Sequence, residues 1–155
     1  MNDSFDIATP IGTLCIILEG DCVTSIVQCN SGQSCGPTGV FAHAVAKEFE
    51  EYFAGKRKKF TFSTKMYGTP FCRKVWQRLQ QIPYGSTATY GDIAKDIGSP
   101  GAARAVGAAC NCNPLLLVVP CHRVVGAGGN LTGYVAGLKN KEFLLKKEKD
   151  FCIER

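Results

Sequence analysis

The sequence predicts an α+β protein in which a strand-rich front segment precedes a helical rear one. Three observations carry that prediction. Short β-branched runs crowd the first thirty residues, and apolar residues at helical spacing dominate from residue 40 onward. The charge also changes sign along the chain. At 155 residues the chain suits one compact domain or two small ones.

The front runs are Phe5–Ala8, Thr13–Leu18 and Cys22–Cys29, punctuated by Pro10–Gly12 and Gly20–Asp21. They read as a small antiparallel sheet. Ser31–Gly39 is a polar, glycine-containing loop. Phe41, Val45, Phe49 and Phe53 then recur every four positions, with Thr38 as cap and Gly55 as stop, which predicts an amphipathic helix. After the basic run Lys56–Lys59, a linker is expected between Phe62 and Gly68. The division is therefore an N-terminal domain over 1–62 and a C-terminal domain over 63–155.

In the rear segment Thr69-Pro70 places a cap before a proline at the first helical position, with Phe71, Val75, Leu79 and Ile82 on one face. The turn PYGST follows. Thr89 with Asp92 three residues on is a capping-box arrangement, continued by Ile93, Ala94 and Ile97 and closed by Gly98. Ser99-Pro100 is expected to start the next helix, GAARAVGAACNC. Two short helices around a glycine turn form a helix-turn-helix candidate. In the second of them Ala103, Val106 and Cys110 are expected to face the core. Ala102, Ala105, Gly107 and Ala108 are all small, and Arg104 is the one charge. Such a face serves either close approach to a bulky partner or tight helix packing. The apolar run Leu115–Val119 reads as a buried strand, and a last helix is expected from about Leu138 to Lys149.

No stretch approaches the roughly 18 apolar residues a membrane span needs, and mean hydropathy is −0.01. The opening MNDSFDIATP lacks a secretory pattern, so a cytoplasmic protein is expected, or a nuclear one in a eukaryote. Nine cysteines at irregular spacing, without a CxxC pair, argue for reduced thiols rather than a disulfide framework. Zinc on the four cysteines before residue 36 with His43 is disfavoured by their strand placement, and no metal is expected. Up to Phe62 there are five Lys/Arg against seven Asp/Glu, a net of −2. From Ser63 there are thirteen against six, a net of +7. A basic rear half suits a polyanion such as nucleic acid, or is simply a solvated surface.

The residues most suggestive of chemistry are in VVPCHRVV, where Cys121 stands beside His122, one of two histidines. A thiol needs a base to become a nucleophile, and the histidine needs a carboxylate to orient it. Strand neighbours point to opposite faces, so the pair meets only through a proline-induced turn or a bridging water. These residues alone leave nucleophile and packed thiol both open.

NPLLLVVPCHRVV, followed by LTGY and KNKEFLLKKE, resembles the methylated-DNA–protein-cysteine methyltransferases, the O6-alkylguanine-DNA alkyltransferases. GTPFCRKVWQRLQQIPYGSTATYGDIA and AARAVG are similar to the same family, in order, over Gly68–Glu148. EEYFAGKRKKF extends the likeness more loosely forward. The resemblance implies an N-terminal α/β domain of ribonuclease-H-like form and a C-terminal domain with a winged helix-turn-helix. It implies that Cys121 removes the alkyl group from O6 of guanine (or O4 of thymine) in one irreversible turnover without a cofactor. His122 would take the thiol proton through water, Glu148 would orient His122, and Asn113 would brace the turn. Tyr90 would protonate the leaving guanine. Tyr134 would pack on the base, and the backbone at Val124 and Val135 would read its edge. The implied partner is double-stranded DNA with the guanine flipped out, bound through its minor groove by a monomer. Arg104 would fill the gap in the stack, with Ser99, Ala103, Ala105 and Gly107 along the DNA. Where relatives carry glycines, Val135-Ala136-Gly137 is expected to narrow the pocket against bulky adducts, and Leu116 stands in place of a frequent proline. Cys110, where the family does not usually have cysteine, is expected in the pocket wall as a second oxidisable thiol. A non-enzymatic lesion-binding protein and a thiol hydrolase are the alternatives.

Overall fold

A computed structural model describes residues 2–29 and 35–153. Positions 31–34 of the expected polar loop lie outside the described residues. The chain divides into two compact units. The first is Met1–Tyr67 with Pro114–Leu116, and the second is Gly68–Asn113 with Leu117–Arg155. The division thus falls at Tyr67/Gly68, five residues beyond the expected Phe62/Ser63.

In the first unit β1 (Asn2–Thr9), β2 (Gly12–Glu19) and β3 (Cys22–Cys29) form an antiparallel meander. Alternation along β2 sends Leu14, Ile16 and Leu18 inward, as a strand with one wet face requires. Two short segments close the outer edge of β3. Val23 exchanges backbone bonds with Ser63 and Lys65, and Ile26 does so with Pro114 and Leu116. Helix α1 (Gly39–Phe53) buries Ala42, Val45, Phe49 and Tyr52. The expected stripe of Phe41 and Phe53 flanks this face, because a strict four-residue spacing drifts off a 3.6-residue helix. Thr38 stands at the N-cap but its side chain makes no capping bond.

In the second unit α2 (Pro70–Leu79) begins as expected, with the Thr69 hydroxyl accepting from the Cys72 amide at 3.1 Å. It buries Val75, Trp76 and Leu79, and the Trp76 indole donates to the Ala109 carbonyl at 2.9 Å. Helix α3 (Tyr90–Asp96) starts from a complete Thr89–Asp92 capping box, worth on the order of 1 kcal/mol. Gly98, at φ +82°, takes the left-handed conformation that closes the turn.

Four expectations are corrected by the structure. Helix α4 runs Ala103–Asn111, starting later than Ser99-Pro100, because those residues form a turn in which the Ala102 amide donates to the Ser99 carbonyl. Its buried residues are Val106, Ala109 and Cys110, so Ala109 takes the core place expected for Ala103. Leu115–Val119 is not a strand. Only isolated bridges form, and Leu117 turns the chain at φ +75°. Burial of these leucines was legible; their backbone was not. Helix α5 (Leu138–Ile153) extends past Lys149.

Candidate active site

Pro120 ends the apolar run, and Cys121–Arg123 then forms one 3-10 turn rather than a strand. The chain continues into β5 (Val124–Val125), which pairs in parallel with β4 (Ala88–Thr89). The turn removes the objection that adjacent strand residues must face apart. Cys121, His122 and Arg123 are all buried.

Asn113, just past the end of α4, reaches into the turn. Its amide Nδ2 donates to the Val119 carbonyl at 2.8 Å and to Cys121 Sγ at 3.2 Å. Burial pushes the thiol up to about 11, while the Asn113 bond and the Lys141 ammonium pull the other way. The thiol therefore holds its proton at pH 7 and needs a base.

His122 is suited to that task. It is fully buried, and Nε2 lies 2.7 Å from Glu148 Oε2. Burial lowers the imidazole below its ordinary value against the upward pull of Glu148, so the ring is neutral at pH 7. A carboxylate only accepts, which assigns the proton to Nε2 and the lone pair to Nδ1. Nδ1 is buried without a hydrogen-bond partner. Burial favours a protonated Glu148, but His122 and Arg123 more than offset it and hold the carboxyl well below its usual range. With the ring neutral, the charge balancing that carboxylate is Arg123. Its Nε and Nη2 donate to Glu148 at 2.8 and 3.0 Å, and its Nη1 donates to the Ile82 carbonyl at 2.9 Å.

Tyr134 meets the His122 ring edge-on, with 6.4 Å between centroids, and its hydroxyl is buried without a hydrogen-bond partner. A cleft of about 550 Å³ opens beside Tyr90, bounded by Ala103, Arg104, Gly107, Thr132 and Gly133 among others. The structure thus brings together two bonded pairs, Asn113–Cys121 and His122–Glu148, which meet at the adjacent residues Cys121 and His122 of the 3-10 turn. Tyr90 joins Arg104, Ala103 and Gly107 at the cleft. Val124 lies in β5 opposite Ala88, and Val135 is exposed. Ser99 and Ala105 line neither set; Ser99 is partly exposed in its turn and Ala105 exposed on α4. Cys110 is buried near Cys121, and burial pushes its thiol up to about 12.

Sequence reasoning missed Arg123, Lys141 and Thr132. Lys141 is fully buried, donates from Nζ to the Gly133 carbonyl at 3.0 Å, and stands 5.8 Å from the Tyr90 ring centroid. Its seven-residue spacing from Glu148, two turns of one helix face, was the available signal. Among the described residues, no three His, Cys, Asp or Glu side chains are placed to hold a metal ion.

The profile of the family described as 6-O-methylguanine DNA methyltransferase, DNA binding domain, matches residues 70–150. The chain belongs to this methyltransferase family. It is 55% identical over 108 residues to the methylated-DNA–protein-cysteine methyltransferase of Methanosarcina acetivorans, covering 70% of this chain and 69% of that one. Against the Mycobacterium leprae methyltransferase of the same name it is 44% identical over 149 residues, 91% and 88% of the two chains. The crystal structure of Mycobacterium tuberculosis OGT in complex with DNA is similar at a TM-score of 0.86 and 42% identity. That likeness spans 94% of this chain and 92% of the other. The match to the methyltransferase family includes every residue of the Asn113–Cys121–His122–Glu148 set.

Proposed function

We propose that this protein repairs DNA by direct reversal, moving the alkyl group of O6-alkylguanine onto Cys121 in a single turnover. One observation carries the assignment of roles. His122 is bonded to Glu148 through Nε2 while Nδ1 keeps a buried lone pair, and the buried, protonated thiol of Cys121 is its neighbour in the same 3-10 turn.

The Cys121 proton passes to His122 Nδ1, through water, and the thiolate attacks the alkyl carbon in line with the departing oxygen. The S–C bond forms as the C–O6 bond breaks, and the bonding pair stays on guanine. Tyr90 supplies a proton to guanine, and exchange between imidazolium, phenolate and solvent restores both groups. General acid–base help of this kind is worth about 10²–10⁴-fold. The product thioether is stable, so each molecule acts once, without a cofactor. Tyr134 would pack on the base, the backbone at Val124 and Val135 would read its edge, and O4-alkylthymine is a second substrate.

We read α3, the turn after it and α4 as the helix-turn-helix of a winged domain, and the meander with α1 as a ribonuclease-H-like fold. The target atom lies inside the duplex, so the nucleotide must flip, at a few kcal/mol. Arg104 fills the gap, and the small residues of α4, with Ser99 in the preceding turn, lie along a minor groove only about 6 Å wide. The protein acts as a monomer.

The test is mass spectrometry after incubation with duplex DNA carrying O6-methylguanine. One methyl on Cys121 is expected, and none in Cys121→Ala. Binding without added mass would make the protein a lesion-binding factor, and product beyond one equivalent would make it a hydrolase.

A further inference from the structure

Tyr90 is held in a seat that makes it a poor acid. It follows the Thr89 cap as the first residue of α3, half-buried. A side-chain carbon at Gly107 of α4 would stand 3.8 Å from its ring. Burial pushes its phenol up, and the Cys110 and Cys121 thiols, from α4 and the 3-10 turn, push the same way. From α5, Lys141 lies over the ring face with its ammonium committed to the Gly133 carbonyl. A group meant to protonate departing guanine therefore needs a partner that favours its ionised form.

That partner is Thr132, whose hydroxyl is hydrogen-bonded to the Tyr90 side chain and opposes the upward push. Both residues line the same cleft. The threonine is seated by the loop around it. The Gly126 amide donates to the Asn130 carbonyl at 2.7 Å, closing the turn. A side-chain carbon at Gly126 would stand 3.0 Å from Thr132 Cγ2, so the absent side chain leaves room for the threonine methyl. With the methyl lodged, the stiff χ1 of a β-branched residue fixes where the hydroxyl points. Lys141 anchors the next residue, Gly133.

We propose that Thr132 is a positioning residue for alkyl transfer, its hydroxyl donating to the Tyr90 oxygen as that oxygen gives its proton to guanine. A hydrogen bond to an ionised acceptor is roughly twice as strong as one to a neutral acceptor. The bond therefore tightens as the phenolate develops, which is the differential stabilisation that raises a rate. This inference rests on Cys121 as alkyl acceptor and Tyr90 as proton donor.

The experiment compares Thr132→Val, which keeps the methyl, and Thr132→Ser, which keeps the hydroxyl, with the unaltered protein. Single-turnover methyl transfer at saturating DNA is expected to slow about three- to ten-fold in Thr132→Val, the size of one hydrogen bond. DNA affinity should stay within about two-fold, and Thr132→Ser, which keeps the hydroxyl but not the methyl that fixes its direction, should transfer faster than Thr132→Val without exceeding the unaltered protein. In a Tyr90→Phe background Thr132→Val should add no further loss. In protein carrying 3-fluorotyrosine, the Tyr90 fluorine resonance should titrate at higher pH in Thr132→Val, and this readout needs no transfer activity. An unmoved titration, an unchanged rate, or a slow rate explained by weaker DNA binding would each overturn the inference. If the unaltered protein transfers nothing, the proposed function fails, while the fluorine titration still judges the Thr132–Tyr90 bond.

Discussion

Asn113 Nδ2 donates at once to the Val119 carbonyl and to Cys121 Sγ, the second at 3.2 Å. The residue that ties the approach to the 3-10 turn also touches the nucleophile, so fold and chemistry share one amide. Asn113→Ala leaves the Val119 carbonyl without that donor and should lower stability by about 1–3 kcal/mol. It should also slow transfer, since the thiolate loses a donor. Asn113→Asp should slow it further, because a carboxylate opposes a neighbouring thiolate. Chemical denaturation and single-turnover transfer together check both effects.

His122→Phe and Glu148→Gln should slow transfer by about 10²–10⁴-fold. Because burial depresses the imidazole, the unaltered protein should keep its full rate down past pH 6.5 and lose it only below. A rate already halved at pH 6.5 would contradict the neutral buried ring.

Stability should fall on acidification in two stages. His122 is lowered in the fold relative to its unfolded value of 6.5, so the unfolded chain binds the extra proton first and stability declines below about pH 6.5. Glu148 is lowered relative to 4.5, so its contribution is present above that pH and is lost as pH falls through the folded value. Thermal melts from pH 8 to 3 should show both stages, and His122→Gln should remove the first.

Gly107→Ala separates the two uses of the small-faced helix. A side-chain carbon there meets only the Tyr90 ring at 3.8 Å, an ordinary contact. Alanine in place of a helical glycine should therefore stabilise the protein by up to about 1 kcal/mol. If α4 approaches DNA closely, the same change should weaken DNA binding. A more stable protein with unchanged DNA affinity would leave the small face to packing alone.

Local signals carried most of the fold. The Thr89–Asp92 box, Thr69-Pro70 and the strand-like run Thr13–Leu18 are written in neighbouring residues, and each formed where expected. The failures have two causes, a partner far along the chain in one case and a competing local turn in the other. Leu115–Val119 is apolar enough for a strand, but its bridge partner Ile26 lies 89 positions away and Leu117 turns the chain. Ser99-Pro100 has the composition of a helix start, yet the Ser99 carbonyl is used by a tight turn. At the site, Cys121, His122, Asn113 and Glu148 were legible through the family likeness. Arg123 was hidden because an arginine after Cys-His resembles a surface charge until Ile82 and Glu148 are brought to it.

The short run Pro114–Leu116 belongs to the first unit although the residues on either side belong to the second. A cut at Tyr67/Gly68 would consequently not yield two self-sufficient fragments. The front fragment would lose the backbone partners of Ile26 and present an open strand edge, an invitation to aggregate. The rear fragment would carry Leu115 and Leu116 without the strand they bridge. Genetic dissection of this protein is therefore better done by point substitution, or by a permuted chain that keeps 114–116 with the meander, than by truncation.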